Sequence, residues 1–377
     1  MDSSSALQYG SRRDDLDVAR AIAALAVVLH HVCQYSARYD MPFLSPTFIS
    51  YCVEAVRFIH LPTFMLVAGF VQAMKGRPVR TVADYVRFER KKVCRLMLPF
   101  VAISLLHLLV KFVAPGEYLS GFSSVISRTL MTPHGGLAGH LWFLYCLMSI
   151  FLIWPLLAPV AQGRGVSLLF VGLFLLAVLP VPWPARQFGL EVSRPLFGLN
   201  ELAWYLPIFT LGFWYGGRPI GQRRPMPVAI LVAGAFSVGA FFVCRLASWP
   251  DDLQWRLLCN CIRMAGYVST ALFVYWLSGR ITSGLKVGDA LAGVGRRSYD
   301  IYLLHVALVG HPLVFVASRL RLGQFMAYVL FAVILCLTYI LPIGIGQLVR
   351  RVPQLAFVML GVPYASRPRT TGSGEKG

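Results

Sequence analysis

Runs of about 20 apolar residues, long enough to cross roughly 30 Å of hydrocarbon, alternate along the chain with short connections rich in charge, proline and glycine. Ten such stretches stand out: 18–36, 55–74, 94–113, 141–160, 165–182, 200–217, 226–245, 262–279, 297–318 and 325–349. The pattern predicts an all-α protein, a polytopic membrane helical bundle of about ten transmembrane helices. They form one integral membrane domain over 18–349, between an N-terminal segment 1–17 and a tail 350–377 that ends in the polar "SRPRTTGSGEKG" and is expected to be disordered there. The acidic "RRDDLD" ahead of the first apolar run argues against a cleaved signal peptide, so that run is expected to stay in the mature protein.

Composition supports this picture. Of 377 residues 57% are hydrophobic and 14% charged, and the mean hydropathy of +0.66 excludes an ordinary soluble domain. The net charge of +19 is distributed by loop: alternate connections and both termini hold 23 Lys and Arg residues, the opposite connections about 10. By the positive-inside rule both termini are then cytoplasmic. Cations spread over so many loops suit membrane lipids rather than nucleic acid as a partner. The eight cysteines are scattered, and the one-residue spacing of Cys259 and Cys261 fits neither a zinc knuckle nor an easy disulfide.

Against this apolar background a few polar residues need an explanation. The first run, "DVARAIAALAVVLHHVCQY", carries Arg20 and, eleven positions later, His31. That spacing is about 16 Å along a helix axis and close to three full turns, so both project from one face, whereas His30 points roughly 100° away. An ionisable side chain on a span is costly unless it faces the bundle interior or water, which makes His31 a site candidate; a neutral histidine bonded between helices is the alternative. The ninth run, "RRSYDIYLLHVALVGHPLVF", offers His305 about 12 Å and His311 about 21 Å from Arg297, and depth alone does not choose between them. "AGHLWFLYCL" places His140 and Trp142 at the outer interface, where aromatic residues gather and where a sugar ring would stack. Glu54, Glu201, Asp251 and Asp252 lie on or near the same side.

The connection "KGRPVRTVADYVRFERKKVCRLMLPF" carries eight cations against Asp84 and Glu89. Topology alone needs fewer. Lys91, Lys92 and Arg95, running into the membrane ahead of Pro99, suit a polyphosphate. The chain has no glycine-rich phosphate loop, Ser-His-Asp order, paired glycosidase carboxylates or metal signature. A basic cytoplasmic anchor, a deep histidine and an aromatic outer vestibule together suggest a group carried through the bilayer.

Those residues resemble the acyltransferase-3 family of integral membrane acyltransferases. "DVARAIAALAVVLHHV", "FMLVAGFVQA", "KKVCRLMLPF", "HLWFLYCL", "YLPIFTLGFWYG" and "SYDIYLLH" follow the order and spacing of that family from about residue 14 to 350. The resemblance implies a bacterial inner-membrane O-acyltransferase that moves an acyl group, acetyl as the expected one, from cytoplasmic acyl-CoA to a sugar hydroxyl of an exported or lipid-linked glycan. It also implies roles: Arg20, His31 and His305 in catalysis, Lys91, Lys92 and Arg95 in holding acetyl-CoA, and His140, Trp142 and Glu54 around the acceptor. Two departures stand out. Lys92 replaces an arginine of the usual basic pair, and the small-residue turn often written Ser-Gly is Ala68-Gly69 here. The acceptors open to such an enzyme include surface polysaccharide, a lipo-chitooligosaccharide and, with succinyl as the group moved, a periplasmic glucan. A proton-coupled transporter of sugars or organic acids is the reading from another class, with the histidines as proton relays; it calls for two-fold repetition of spans, which the sequence does not display.

Overall fold

The computed structural model describes residues 13–39, 41, 45–75, 79–113, 139–163, 165–178, 199–218, 228–246, 253–284, 286–320 and 322–363. Among them every regular element is helical. A helix occupies each of the ten apolar stretches, and among the described residues seven helical segments are long and apolar enough to cross a membrane. The protein is an all-α, multi-pass bundle.

Helix α1, Asp14–Arg38, begins with Asp14, Asp15 and Asp17 and ends with Arg38, charges that complement its dipole at both ends. The second apolar stretch is broken: α2, Pro46–Arg57, is followed by a turn at Phe58 and Ile59 before α3, His60–Lys75. Leu16 and Ala19 of α1 pack with Val67 and Phe70 of α3, while His30 meets His60, so the two helices run antiparallel. Helix α4, Val82–Val113, starts about three turns before the expected 94, and most of the basic connection is therefore helical. A reciprocal cap permits this, because Thr81 Oγ1 accepts from the Asp84 amide at 3.1 Å and donates to Asp84 Oδ2 at 2.8 Å.

A 3-10 turn, Gly139–Leu141, leads into α5, Trp142–Gln162, and then α6, Val166–Val178, and α7, Leu199–Gly216. Helix α7 lies directly on α3. A Cβ on Gly69 would come within 2.0 Å of Phe209 O, and one on Gly212 within 2.0 Å of Leu66 O. Gly212 and Gly216 stand four apart, the small-xxx-small spacing that lets membrane helices approach backbone to backbone. Around this contact Trp154 packs edge-on against Phe209 and Phe213 at 4.7 and 4.6 Å.

The remaining elements are α8, Val228–Leu246; α9, Leu253–Gly284; α10, Val287–Gly295; α11, Ser298–Leu304; α12, His311–Ala317; α13, Gln324–Val349; and α14, Pro353–Leu360. The ninth apolar stretch is not a regular α-helix, since a π-helical turn, His305–Gly310, separates α11 from α12. Such wide turns recur at functional sites. In the tail, α14 packs on α4 and ends at Gly361, whose φ of +60° favours glycine. The expected disorder of the tail falls on 364–377, outside the described residues.

Candidate functional site

The polar residues gather at the two ends of the bundle. At the end where α1 finishes, a cavity of about 540 Å³ opens between α1, α3, α7, α9 and the turn before α5. Helix α1 contributes His30, His31, Gln34, Tyr35 and Arg38, and α3 begins with His60. His140 and Trp142 line the opposite wall, joined by Trp204 and Tyr205 of α7, Arg263 and Tyr267 of α9, and Tyr302 of α11. The wall is polar and aromatic together, a lining suited to a sugar, whose hydroxyls need hydrogen bonds and whose C–H faces stack on rings.

His31 lies at the focus. Its ring centroid is 5.2 Å from that of His305, 6.1 Å from His140 and 5.0 Å from His30. His305 is fully buried, and its Nδ1 is 2.9 Å from both Ile301 O and Tyr302 O. Carbonyl oxygens only accept, so Nδ1 carries the hydrogen and Nε2 is left with the lone pair. That Nε2 has no hydrogen-bond partner among the described residues. His31 Nδ1 is 3.2 Å from Gln34 Oε1, which fixes the same tautomer there. The two imidazoles thus lie side by side, His31 on the cavity wall and His305 buried next to it with its Nε2 unbonded. His30 lies deeper, with its ring 5.1 Å from His60, and the two adjacent histidines occupy different environments as the helix geometry requires.

His305, rather than His311, lies beside His31, a placement that depth along the helix alone left open. His311 packs instead with Tyr35 and Tyr39, and its Nε2 is 2.5 Å from the Tyr39 hydroxyl. His107 bridges the two regions, with ring centroids 5.6 Å from His140 and 5.9 Å from His311. Sequence reasoning passed over Gln34, which stands only three residues after His31, and over His60, His107 and Arg263, which the fold brings to the same region. No three His, Cys, Asp or Glu side chains among the described residues converge as a metal site would require. Tyr302 donates to His140 O at 2.6 Å and so ties the turn that carries His140 to α11.

Glu54 does not line the cavity; it pairs with Arg57 at 2.9 Å, and Arg57 does line it. Glu201, grouped above with Glu54, is part of the wall. Asp251 and Asp252 lie outside the described residues.

At the opposite end Lys92 is half-buried. Its Nζ is 3.0 Å from Gln72 Oε1 and lies over the Phe151 ring, 3.5 Å from the centroid, and over Phe88 at 4.9 Å. Lys91 and Arg95 are exposed, and the Arg95 guanidinium lies 5.5 Å from the Tyr299 ring centroid. The Tyr299 hydroxyl donates to Arg95 O at 2.5 Å, which links the start of α11 to the basic face of α4. Arg20 holds the buried Asp17 at 2.6 Å. Arg350 grips Asp300 with two bonds, of 2.5 and 2.7 Å. Basic residues at one end and a histidine-floored cavity at the other are thus connected through α1, α4 and α11.

Compared with known families, the chain matches the profile described as an acyltransferase domain, acyltransferase family 3, over residues 13–346. No curated protein and no solved structure matches the chain.

Proposed function

Given that the chain belongs to the acyltransferase-3 family, we propose that it transfers an acyl group, acetyl as the expected one, from acyl-CoA to a sugar hydroxyl of an exported or lipid-linked glycan. The observation that carries this reading is the adjacent pair His31 and His305, each with its lone pair on Nε2, of which His31 lines an aromatic cavity large enough for a sugar and His305 is buried beside it. A hydroxyl is a poor nucleophile until its proton is accepted, and imidazole titrates near the working pH. His31 Nε2 takes that proton as the sugar oxygen attacks the thioester carbonyl. The new C–O ester bond forms as the C–S bond breaks, and the proton passes on to the coenzyme A thiolate, so atoms and charge balance. An attack by Nε2 itself, giving an acyl-histidine that the sugar then relieves, uses the same geometry in two steps.

Lys92, Arg95 and Lys91 are assigned to the phosphates of the acyl donor. Arg95 and Lys91 are exposed where a soluble nucleotide arrives, and Lys92 is held ready by Gln72 and Phe151. The donor end is the cytoplasmic one and the cavity faces outward across a bacterial inner membrane, in agreement with the loop charges. Purified full-length protein supplied with radiolabelled acetyl-CoA and glycan from cells lacking the gene tests the reading. Labelled glycan with wild type and none with His31→Ala is the expected result, and equal labelling with both refutes it.

A further inference from the structure

Arg263 is the cavity residue that the reaction above leaves unexplained. It projects from α9 into the same space as His31 and is flanked by Trp204 and Phe241, whose ring centroids lie 5.7 and 5.0 Å from its guanidinium carbon. Its Nε is buried and has no hydrogen-bond partner, and no acidic side chain pairs with it among the described residues. Arg57, by contrast, is held by Glu54 at 2.9 Å. The charged groups on the cavity wall are Arg38, Arg57 and Arg263 against Glu201. Arg57 is balanced by Glu54, so the described cavity wall still carries more positive than negative charge, and Arg263, half-buried with its Nε unbonded, has no counter-ion among the described residues.

Even partial burial of a cation is costly, and stacking on two rings offsets only part of that cost. The positive-inside rule does not account for it either, because residue 263 lies at the end opposite the basic connections. What a guanidinium of this kind fits is a planar or tetrahedral oxyanion, which it binds through two parallel N–H donors. The rings beside it are arranged for a sugar: Tyr205 and Tyr267 stack with 8° between their planes, and Trp142 lies 5.8 Å from Tyr205.

We infer that the acceptor is an acidic glycan, one whose acylated sugar or its neighbour bears a carboxylate or phosphate that Arg263 binds. This rests on the acyltransferase reading and narrows its substrate to a chemical class. The anion is bound both before and during transfer, so Arg263 sets acceptor affinity rather than the rate of the chemical step.

The test uses purified full-length protein, labelled acetyl-CoA and glycan from cells lacking the gene, divided into three portions. One is untreated, one has its carboxylates reduced to alcohols after carbodiimide activation, and one is dephosphorylated with aqueous hydrogen fluoride. Wild type should accept the untreated glycan with a kcat/KM at least about tenfold above that for one treated portion, through KM, and which portion fails identifies carboxylate or phosphate. Arg263→Gln should bring the untreated glycan to within about twofold of the failing portion. Equal use of all three portions by wild type overturns the inference whether or not the variant folds, while transfer itself upholds the parent reading. Absence of transfer to every portion, from succinyl-CoA as well as acetyl-CoA, refutes the parent reading and the inference with it.

Discussion

His31 and His30 are adjacent in the chain yet separated by one helix step into different environments. Both line the cavity, but His31 is the more exposed of the two and lies beside His305, whereas His30 is buried against His60. Substituting His31 by Ala should therefore reduce transfer to background while His30→Ala retains a substantial fraction, as read by label incorporated into glycan. Gln34 holds His31 in its tautomer, so Gln34→Leu should lower kcat by about three- to tenfold with little change in acceptor KM, as expected when a base loses its orienting bond. At the other end the proposed phosphate contact of Lys92 and Arg95, made equally in ground and transition states, would act on donor binding. Lys92→Ala and Arg95→Ala should each raise the KM for acetyl-CoA about ten- to hundredfold and lower kcat less, with Lys92→Arg tolerated. Isothermal titration with acetyl-CoA checks this, and unchanged affinity in both variants would return these cations to a topological role. The sequence pointed to His31 because polar residues on an apolar run are conspicuous. Arg263 was counted there only as one more positive charge, since a half-buried guanidinium without a counter-ion among the described residues is recognised by its surroundings and not by its spacing.

At the scale of elements, the apolar runs were legible because hydrocarbon thickness imposes a length on them. The interruptions were not. The turn at Phe58 and Ile59, the early start of α4 and the π-helical turn at His305–Gly310 depend on caps and on packing between distant segments, which leave no periodic trace. Ala68-Gly69 illustrates the difference. As a motif it lacked the family's usual hydroxyl, while in the fold Gly69 is where α7 touches α3. A side chain cannot fit at that contact, so Gly212→Val should abolish recovery of monodisperse protein by fluorescence-detected size exclusion. Gly172→Ala, which meets nothing within 4 Å, should leave recovery unaltered. The Asp300–Arg350 pair gives a second ranking. Asp300 is 1% exposed and its partner 29%, so Arg350→Ala, which leaves the buried carboxylate uncompensated, should destabilise by about 3 kcal/mol or more, and Asp300→Ala by less.

For the whole molecule, the loop charges imply that both termini and the basic start of α4 share one side. Single cysteines introduced at residues 85 and 372 should react with an impermeant reagent only from the cytoplasm, and one at residue 120 only from outside. The central claim spans both faces: acyl-CoA enters at the basic end and the sugar is acylated in the cavity at the other. Transfer across a sealed membrane tests it most directly. Protein reconstituted in one orientation is given labelled acetyl-CoA on the side of residue 85 and acceptor glycan enclosed on the opposite side, in wild type and in His31→Ala. The account predicts labelled glycan in the compartment that never met acetyl-CoA, and none with His31→Ala; labelling only when donor and acceptor share a compartment, or labelling that persists in the variant, would contradict it.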